Sequence, residues 1–294
     1  MDFSPTDQHK YKGLLLETFK AFDSFCNENR IRYCAAGGTM IGAVRHQGFI
    51  PWDDDIDVYM KRRDYDKFIS LRKQLNGTAY EIVDPNNDGY YCPMAKFSHR
   101  YSTIWEFQGI PFVFGAYVDV FVLDYERGSY EEVVRKRMNY AKNVNLFFIC
   151  SNNHSFQEIS KTISHGAIRK SIWYIFQKLI MNKYRSALKK QINRHSEIKQ
   201  GEWLVAYTGT SGKKDIFRSE WFENTIIFPF EDTLIDVPIG YDHFLNAMFG
   251  NYMSFPPKEE QVSHHSLFYY NLDRRITSLE IERMQIDGVI IDEP

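Results

Sequence analysis

Apolar residues recur at helical spacing over 6–29, where Leu15, Leu16, Phe19, Phe22 and Phe25 share one face. A short strand at 32–36 then runs into Gly37-Gly38, and Thr39 suits the N-cap of a short helix through about Arg45. Gly48 and Pro51 punctuate the loop that follows. Asp55-Ile56-Asp57-Val58 alternates polar and apolar, the period of a half-buried strand. An amphipathic helix is expected at 62–75, with Tyr65, Phe68, Ile69 and Leu71 facing inward. Strands are expected at 80–83, 94–99 and 103–107, the last two paired with each other, and at 117–123. Residues 129–148 read as a long helix capped by Ser129, with Glu131 and Glu132 in its first turn, where carboxylates favour the helix dipole. Further on, 203–207 is strand-like and 242–249 is a short helix, after which Gly250-Asn251 and Pro256-Pro257 break the chain. The remainder is acidic, with scattered apolar residues and no clear period.

The chain has 294 residues, 44% of them apolar and 16% aromatic, which is ample for a packed core in one large domain or two small ones. A net charge of −2 gives no global attraction to nucleic acid. Cys26, Cys34, Cys92 and Cys150 form no CxxC pair for zinc or redox chemistry, and suggest reduced thiols in a cytosolic setting. Met1-Asp2-Phe3-Ser4-Pro5 lacks the basic-then-apolar order of a signal peptide, and no apolar run approaches the ~20 residues of a membrane span, so a soluble protein is expected. One segment changes the picture. Residues 161–200 hold ten Lys or Arg against the single acid Glu197, with Ile168, Ile172, Ile175, Phe176, Leu179 and Ile180 on one helical face, beside Trp173 and Tyr174. Two readings fit: a helical subdomain with a solvated basic face, or peripheral contact with an anionic membrane surface.

Candidate chemistry concentrates in residues 37–60. Asp55 and Asp57, two apart on a strand, share a face with Cα atoms about 7 Å apart, while Ile56 and Val58 anchor the other face. Carboxylates so placed repel unless a cation lies between them or one takes a proton. Mg²⁺, or Mn²⁺ in its place, suits oxygen ligands completed by substrate phosphates. Asp53 and Asp54 either orient the metal's waters or serve the loop. Upstream, Gly38 and Thr39 at a helix start form a cradle for phosphate. An EF-hand reading of Asp53, Asp55 and Asp57 fails at its sixth position, Val58, and its twelfth, Asp64. Asp119 is a further carboxylate on an alternating strand, whereas Asp124 is expected to cap a turn. Arg45 by its fork and Lys96 as a point charge are candidates to steady a pyrophosphate. His46, His264 and His265 are read as structural.

GGTMIGAVRHQGFIPWDDDIDVYM at 37–60, YVDVFVLDY at 117–125 and VPIGYDHFLNAMFGNYMSFPP at 237–257 together resemble the LicD family. These are phosphocholine-type transferases on the nucleotidyltransferase fold, to which fukutin and its relatives are also similar. The resemblance spans most of the chain, is weaker over 150–200, and departs at Val122, where the family often has proline. It implies an α/β (α+β) fold: a nucleotidyltransferase-like mixed sheet flanked by helices, with an added helical region. The implied organisation is a catalytic core at 1–150, a basic helical insertion at 151–200, and a C-terminal part at 201–294 that completes the domain. A third acid on a neighbouring strand is also implied, which makes Asp55, Asp57 and Asp119 the catalytic and metal-binding set. The implied donor is a CDP-alcohol, CDP-choline above all. The implied acceptor is a sugar hydroxyl on a cell-surface glycan such as lipopolysaccharide, teichoic acid or capsule, or on its lipid-linked precursor, with CMP released at the cytoplasmic side of a membrane. A choline head group would want an aromatic cage, for which Trp52, Tyr90, Tyr91, Trp105, Phe107 and Tyr117 are at hand. The same aspartates would serve a nucleotidyltransferase releasing pyrophosphate, and a non-catalytic membrane-docking scaffold is the alternative from another class.

Overall fold

The computed structural model describes residues 3–107, 110, 112–151, 198–209, 211–262 and 267–277, together with isolated helical positions at 172, 175, 179, 183, 186, 279, 280 and 283. The first helix, α1 (Pro5–Glu28), starts where the Ser4 hydroxyl accepts from the Asp7 N–H at 3.1 Å. Its face of Tyr11, Leu15, Phe19, Phe22 and Phe25 is buried. Next come β1 (Cys34–Ala35), α2 (Gly37–Ile41), a π-helical turn (Gly42–His46) and β2 (Asp57–Lys61). The segment expected as one helix over 62–75 divides into α3 (Arg62–Ser70) and a 3₁₀ turn (Arg72–Leu75), because Leu71 leaves the helical conformation. Then follow β3 (Tyr80–Val83), β4 (Ala95–His99), β5 (Thr103–Trp105), β6 (Tyr117–Glu126) and α4 (Tyr130–Ser151). A capping box starts α4: the Glu132 N–H donates to the Ser129 hydroxyl at 3.3 Å and the Ser129 N–H to the Glu132 carboxylate at 3.0 Å. Strands β7 (Trp203–Val205), β8 (Ile216–Arg218), β9 (Thr225–Phe230) and β10 (Thr233–Pro238), helix α5 (Tyr241–Phe249) and β11 (Tyr269–Asn271) complete the described chain.

The main sheet is mixed, in the order β1-β2-β6-β4-β3, with β2 and β6 parallel and the other neighbours antiparallel. The far end of β6 carries β7, and β7 carries β8. Helices flank this sheet. Phe97 of β4 meets Phe22 and Phe25 of α1 and Phe68 of α3. On the other face Tyr59 of β2 meets Phe121, Phe217, Phe222 and Phe244 of α5. One buried cluster runs from Tyr11 to Leu272, so the residues after 200 return to the core built by the first half. The architecture is therefore α+β, a mixed sheet between helices.

Three local expectations need correction. Strands β4 and β5 do not pair with each other. Both edges of β4 are taken, by β3 and β6, which leaves β5 to pair with β11. Thr39 is not the cap of α2: Ala36 holds that position, the helix starts at Gly37, and the Thr39 hydroxyl serves a neighbouring strand instead. Asp124 caps no turn. It lies within β6, where Arg62 Nε and Nη2 grip both its oxygens at 2.7 and 2.8 Å. Most of 161–200 lies outside the described residues, as do Cys150's side chain, His264 and His265; Ile172, Ile175 and Leu179 are helical and exposed. No helix among the described residues is long and apolar enough to cross a membrane.

Candidate active site

The parallel pairing of β2 and β6 sets Asp57 opposite Asp119, and the antiparallel pairing of β4 with β6 sets Lys96 opposite the same Asp119. Residues opposed in this way share a face, and neighbouring strands lie about 4.8 Å apart. The result is a row of Asp57, Asp119 and Lys96 across three strands. The turn before β2 is bolted to that row. The Ala36 N–H donates to the Asp57 carbonyl at 2.9 Å, and the Asp57 N–H donates to the Thr39 hydroxyl at 2.8 Å. Asp55 lies just ahead of β2 in its extended lead-in. Burial alternates there: Asp53, Asp55 and Asp57 are half-buried while Asp54, Ile56 and Val58 are buried.

The glycine pair is packed against these carboxylates. A Cβ on Gly38 would lie 2.6 Å from Asp53 Oδ2, and one on Gly37, whose φ is +44°, would lie 3.5 Å from Asp57 Oδ2. The first intrahelical bond of α2 runs from the Met40 N–H to the Ala36 carbonyl, so the N–H groups of residues 37–39 precede the ladder. The loop between the turn and Asp53 is clasped from outside. The Phe49 N–H donates to Glu231 Oε1 at 2.9 Å, the Glu231 N–H to the Gln47 carbonyl at 2.8 Å, and Lys12 Nζ to the Pro51 carbonyl at 3.0 Å.

Lys96 is enclosed. Its Nζ donates to Asp119 Oδ1 at 2.7 Å and lies 3.4 Å from the centroid of the Tyr117 ring. Burial pushes the Lys96 ammonium down, but the carboxylates of Asp119 and Glu106 outweigh it and hold the group above its ordinary range. Glu106 accepts from the Tyr91 hydroxyl at 2.5 Å and from the Tyr117 hydroxyl at 2.7 Å. Burial first, then Glu106 and Asp119, raise the Tyr117 phenol well above its usual value, so it stays a donor. Tyr11 of α1 is raised likewise, by burial and then by Asp54 and Asp55. Sequence reasoning did not find Tyr11, Glu106 or Glu231. For Glu106 one signal existed, a lone acid between Trp105 and Phe107.

Arg45 stands apart from the row. One guanidinium nitrogen donates to the carbonyls of Tyr252 and Ser254, and the group lies 4.9 Å from the Phe255 ring centroid. His46 stacks on Phe255 at 5.5 Å, and Trp52 meets both rings edge-on. Of the aromatic residues considered for a cage, Tyr90, Tyr91, Trp105 and Tyr117 are fully buried, whereas Trp52 is half-buried and Phe107 exposed. A cavity of 520 Å³ lined by Arg32, Cys34, Tyr59, Lys61, Asp64 and Asp236, among others, lies toward the opposite end of β2 from Asp57.

Among the described residues no three His, Cys, Asp or Glu side chains converge closely enough to enclose a metal ion by themselves. The donor set still fits a hard divalent cation in another way. Mg²⁺ commonly takes one or two carboxylates and completes its shell with water and substrate phosphate, and Asp57 and Asp119 supply such a pair beside a glycine cradle. The setting is also rich in carboxylates (Asp53, Asp54, Asp55, Glu106), which would repel a diphosphate arriving without a cation.

Residues 30–144 match the family described as LicD/FKTN/FKRP, nucleotidyltransferase domain. The lipopolysaccharide cholinephosphotransferase LicD of Haemophilus influenzae is 30% identical over 246 residues, covering 83% of this chain and 90% of that protein. Uncharacterized proteins of Rickettsia typhi and Rickettsia prowazekii are 37% and 34% identical over 68 residues, 23% of this chain and 22% and 26% of their own lengths. With that identity sustained over most of both chains, this protein belongs to the LicD family.

Proposed function

We propose that the chain is a transferase that moves phosphocholine from CDP-choline to a sugar hydroxyl of lipopolysaccharide or a related cell-surface glycan, releasing CMP. One observation carries this reading: Asp57 and Asp119 stand at matched register on parallel strands, beside the Gly37-Gly38 turn. The relative covering most of the chain is a lipopolysaccharide cholinephosphotransferase, which supports the choice of group and acceptor.

Asp57 and Asp119, with Asp55 beside them, would hold Mg²⁺ or Mn²⁺. Bound there, the cation would neutralise phosphate charge and stabilise the leaving CMP. The backbone around Gly38 and Thr39 receives the diphosphate, since the N–H groups of residues 37–39 precede the helical ladder of α2. The acceptor oxygen attacks the phosphorus that bears choline. The bond from that phosphorus to the CMP oxygen breaks, and the hydroxyl proton passes to a carboxylate of the cluster. Catalysis is then mainly alignment and charge stabilisation. The basic, apolar-faced segment 161–200 supports peripheral docking on an anionic membrane where a lipid-linked acceptor resides.

The test is Asp57→Ala in purified, metal-replete protein supplied with CDP-choline and acceptor glycan. Turnover should fall at least about 100-fold while the thermal midpoint holds; wild-type turnover would refute the site. The released product separates the readings: CMP fits phosphocholine transfer and pyrophosphate fits a nucleotidyltransferase. Vesicle binding without donor cleavage fits a scaffold.

A further inference from the structure

We propose that Lys96 is a positioning residue that fixes the Asp119 carboxylate beside Asp57 and does not itself meet the donor. This rests on reading the carboxylate row as the cation site of the transferase.

The side chain of Lys96 is 2% exposed and that of Asp119 7%, with 2.7 Å between Nζ and Oδ1. A lysine that serves a phosphate works as a mobile point charge on a flexible stem. This one is boxed. The Tyr117 and Phe114 ring centroids lie 3.4 and 4.9 Å from its nitrogen, covering part of the ammonium with aromatic surface. Tyr117 is itself held at both ends, with its ring against the ammonium and its hydroxyl on Glu106. Glu106 is held in turn by Tyr91. The seat of the ammonium is therefore rigid, and through its bond to Oδ1 it sets the plane of the Asp119 carboxylate. That plane matters because Asp57 stands directly opposite on the parallel strand. Two carboxylates at that spacing repel, and without a fixed tether the buried one would turn away. The bound lysine opposes that turn through its bond to Oδ1.

The test compares Lys96→Met, Asp119→Asn and the double variant in the full chain, by calorimetric titration with Mn²⁺ alone and with CDP-choline in the presence of Mn²⁺, and by the rate of CMP release with acceptor glycan present. Lys96→Met should bind Mn²⁺ at least 10-fold more weakly than wild type. It should also lose at least 100-fold in kcat, with KM for CDP-choline unchanged within 3-fold. In the Asp119→Asn background, adding Lys96→Met should change both affinities less than 3-fold, because the lysine acts only through Asp119. This second comparison decides even if Lys96→Met alone does not fold. CDP-choline binding 10-fold weaker in the double variant than in Asp119→Asn would make Lys96 a donor contact and overturn the inference. Mn²⁺ binding by Lys96→Met equal to or tighter than wild type would overturn it too. Wild-type protein that binds Mn²⁺ but not CDP-choline would refute the donor, while the Mn²⁺ comparison still upholds or overturns the role of Lys96. Wild-type protein that binds no Mn²⁺ would overturn both.

Discussion

Gly38→Ala adds one methyl group, and the structure says where it goes. The new Cβ would sit 2.6 Å from Asp53 Oδ2, roughly 0.8 Å inside ordinary contact. The obstacle is the tip of a half-buried side chain rather than backbone, so the carboxylate shifts and the fold survives. Overpacking of this kind costs about 1–3 kcal/mol. Replacing glycine by alanine within a helix returns about 0.5–1 kcal/mol, because α2 already includes this position. The net loss of about 0–2.5 kcal/mol lowers the thermal midpoint by no more than about 10 °C, at about 2–4 °C per kcal/mol for a chain of this size class. Turnover suffers more. Moving a group of the site by close to 1 Å costs about 100-fold where reactants must be aligned. The assay is CMP release from CDP-choline and acceptor, run beside thermal unfolding. A suppressor sharpens it: Gly38→Ala/Asp53→Ala should match Asp53→Ala alone, since the colliding oxygens are gone. Turnover of Gly38→Ala within 2-fold of wild type would refute the reasoning. So would a double variant as impaired as Gly38→Ala beside an active Asp53→Ala.

The structure makes two further predictions. Arg62→Met strips both hydrogen bonds from the buried carboxylate of Asp124 and should destabilise the protein by about 3–5 kcal/mol; Arg62→Met/Asp124→Asn should recover most of that in urea unfolding, and an equally unstable double variant would contradict it. Burial and then Arg45 lower the His46 pKa, and burial and then Arg275 lower that of His99. The unfolded chain therefore binds more protons than the folded one between the depressed values and about 6.5. Stability from this source is intact above that pH and declines as pH falls through it. A urea midpoint that drops from pH 7.5 to 5.5, with the slope reduced in His99→Asn, is the expected outcome; an unaltered slope in that variant would contradict it.

Local patterning carried a good part of the fold and of the site. The aromatic stripe of α1, the strand at Tyr80–Val83 and the short helix before Gly250 are all read from spacing alone. So is the clustering of carboxylates after Pro51, since that loop and its strand are contiguous in sequence. Pairings between distant segments were not legible. Nearness in sequence suggested β4 with β5, and only the whole sheet shows that both edges of β4 are occupied. The β9–β10 hairpin gave no turn signal, because Glu231 takes the left-handed conformation at φ +55° that glycine or asparagine usually fills. Its Glu231 carboxylate then accepts from the Phe49 N–H, holding the loop that leads to Asp53 from a position 182 residues away.

The carboxylate row shows what alternation can and cannot encode. A period of two assigns a side chain to a face, so Asp55, Asp57 and Asp119 face one way while Ile56, Val58, Val118 and Val120 face the other. It leaves register open to slips of two residues, which keep every valine inside. Sliding β6 by two against β2 would set Asp57 opposite Tyr117 or Phe121 in place of Asp119. The same slide against β4 would set Lys96 opposite one of those rings, with an ammonium buried away from its carboxylate. An unpaired buried charge costs several kcal/mol, far more than the packing difference between Tyr117 and Phe121. The Lys96–Asp119 pair thus excludes the slipped sheets. Because β6 is shared by β4 and β2, the choice made on one edge also places Asp119 beside Asp57 on the other.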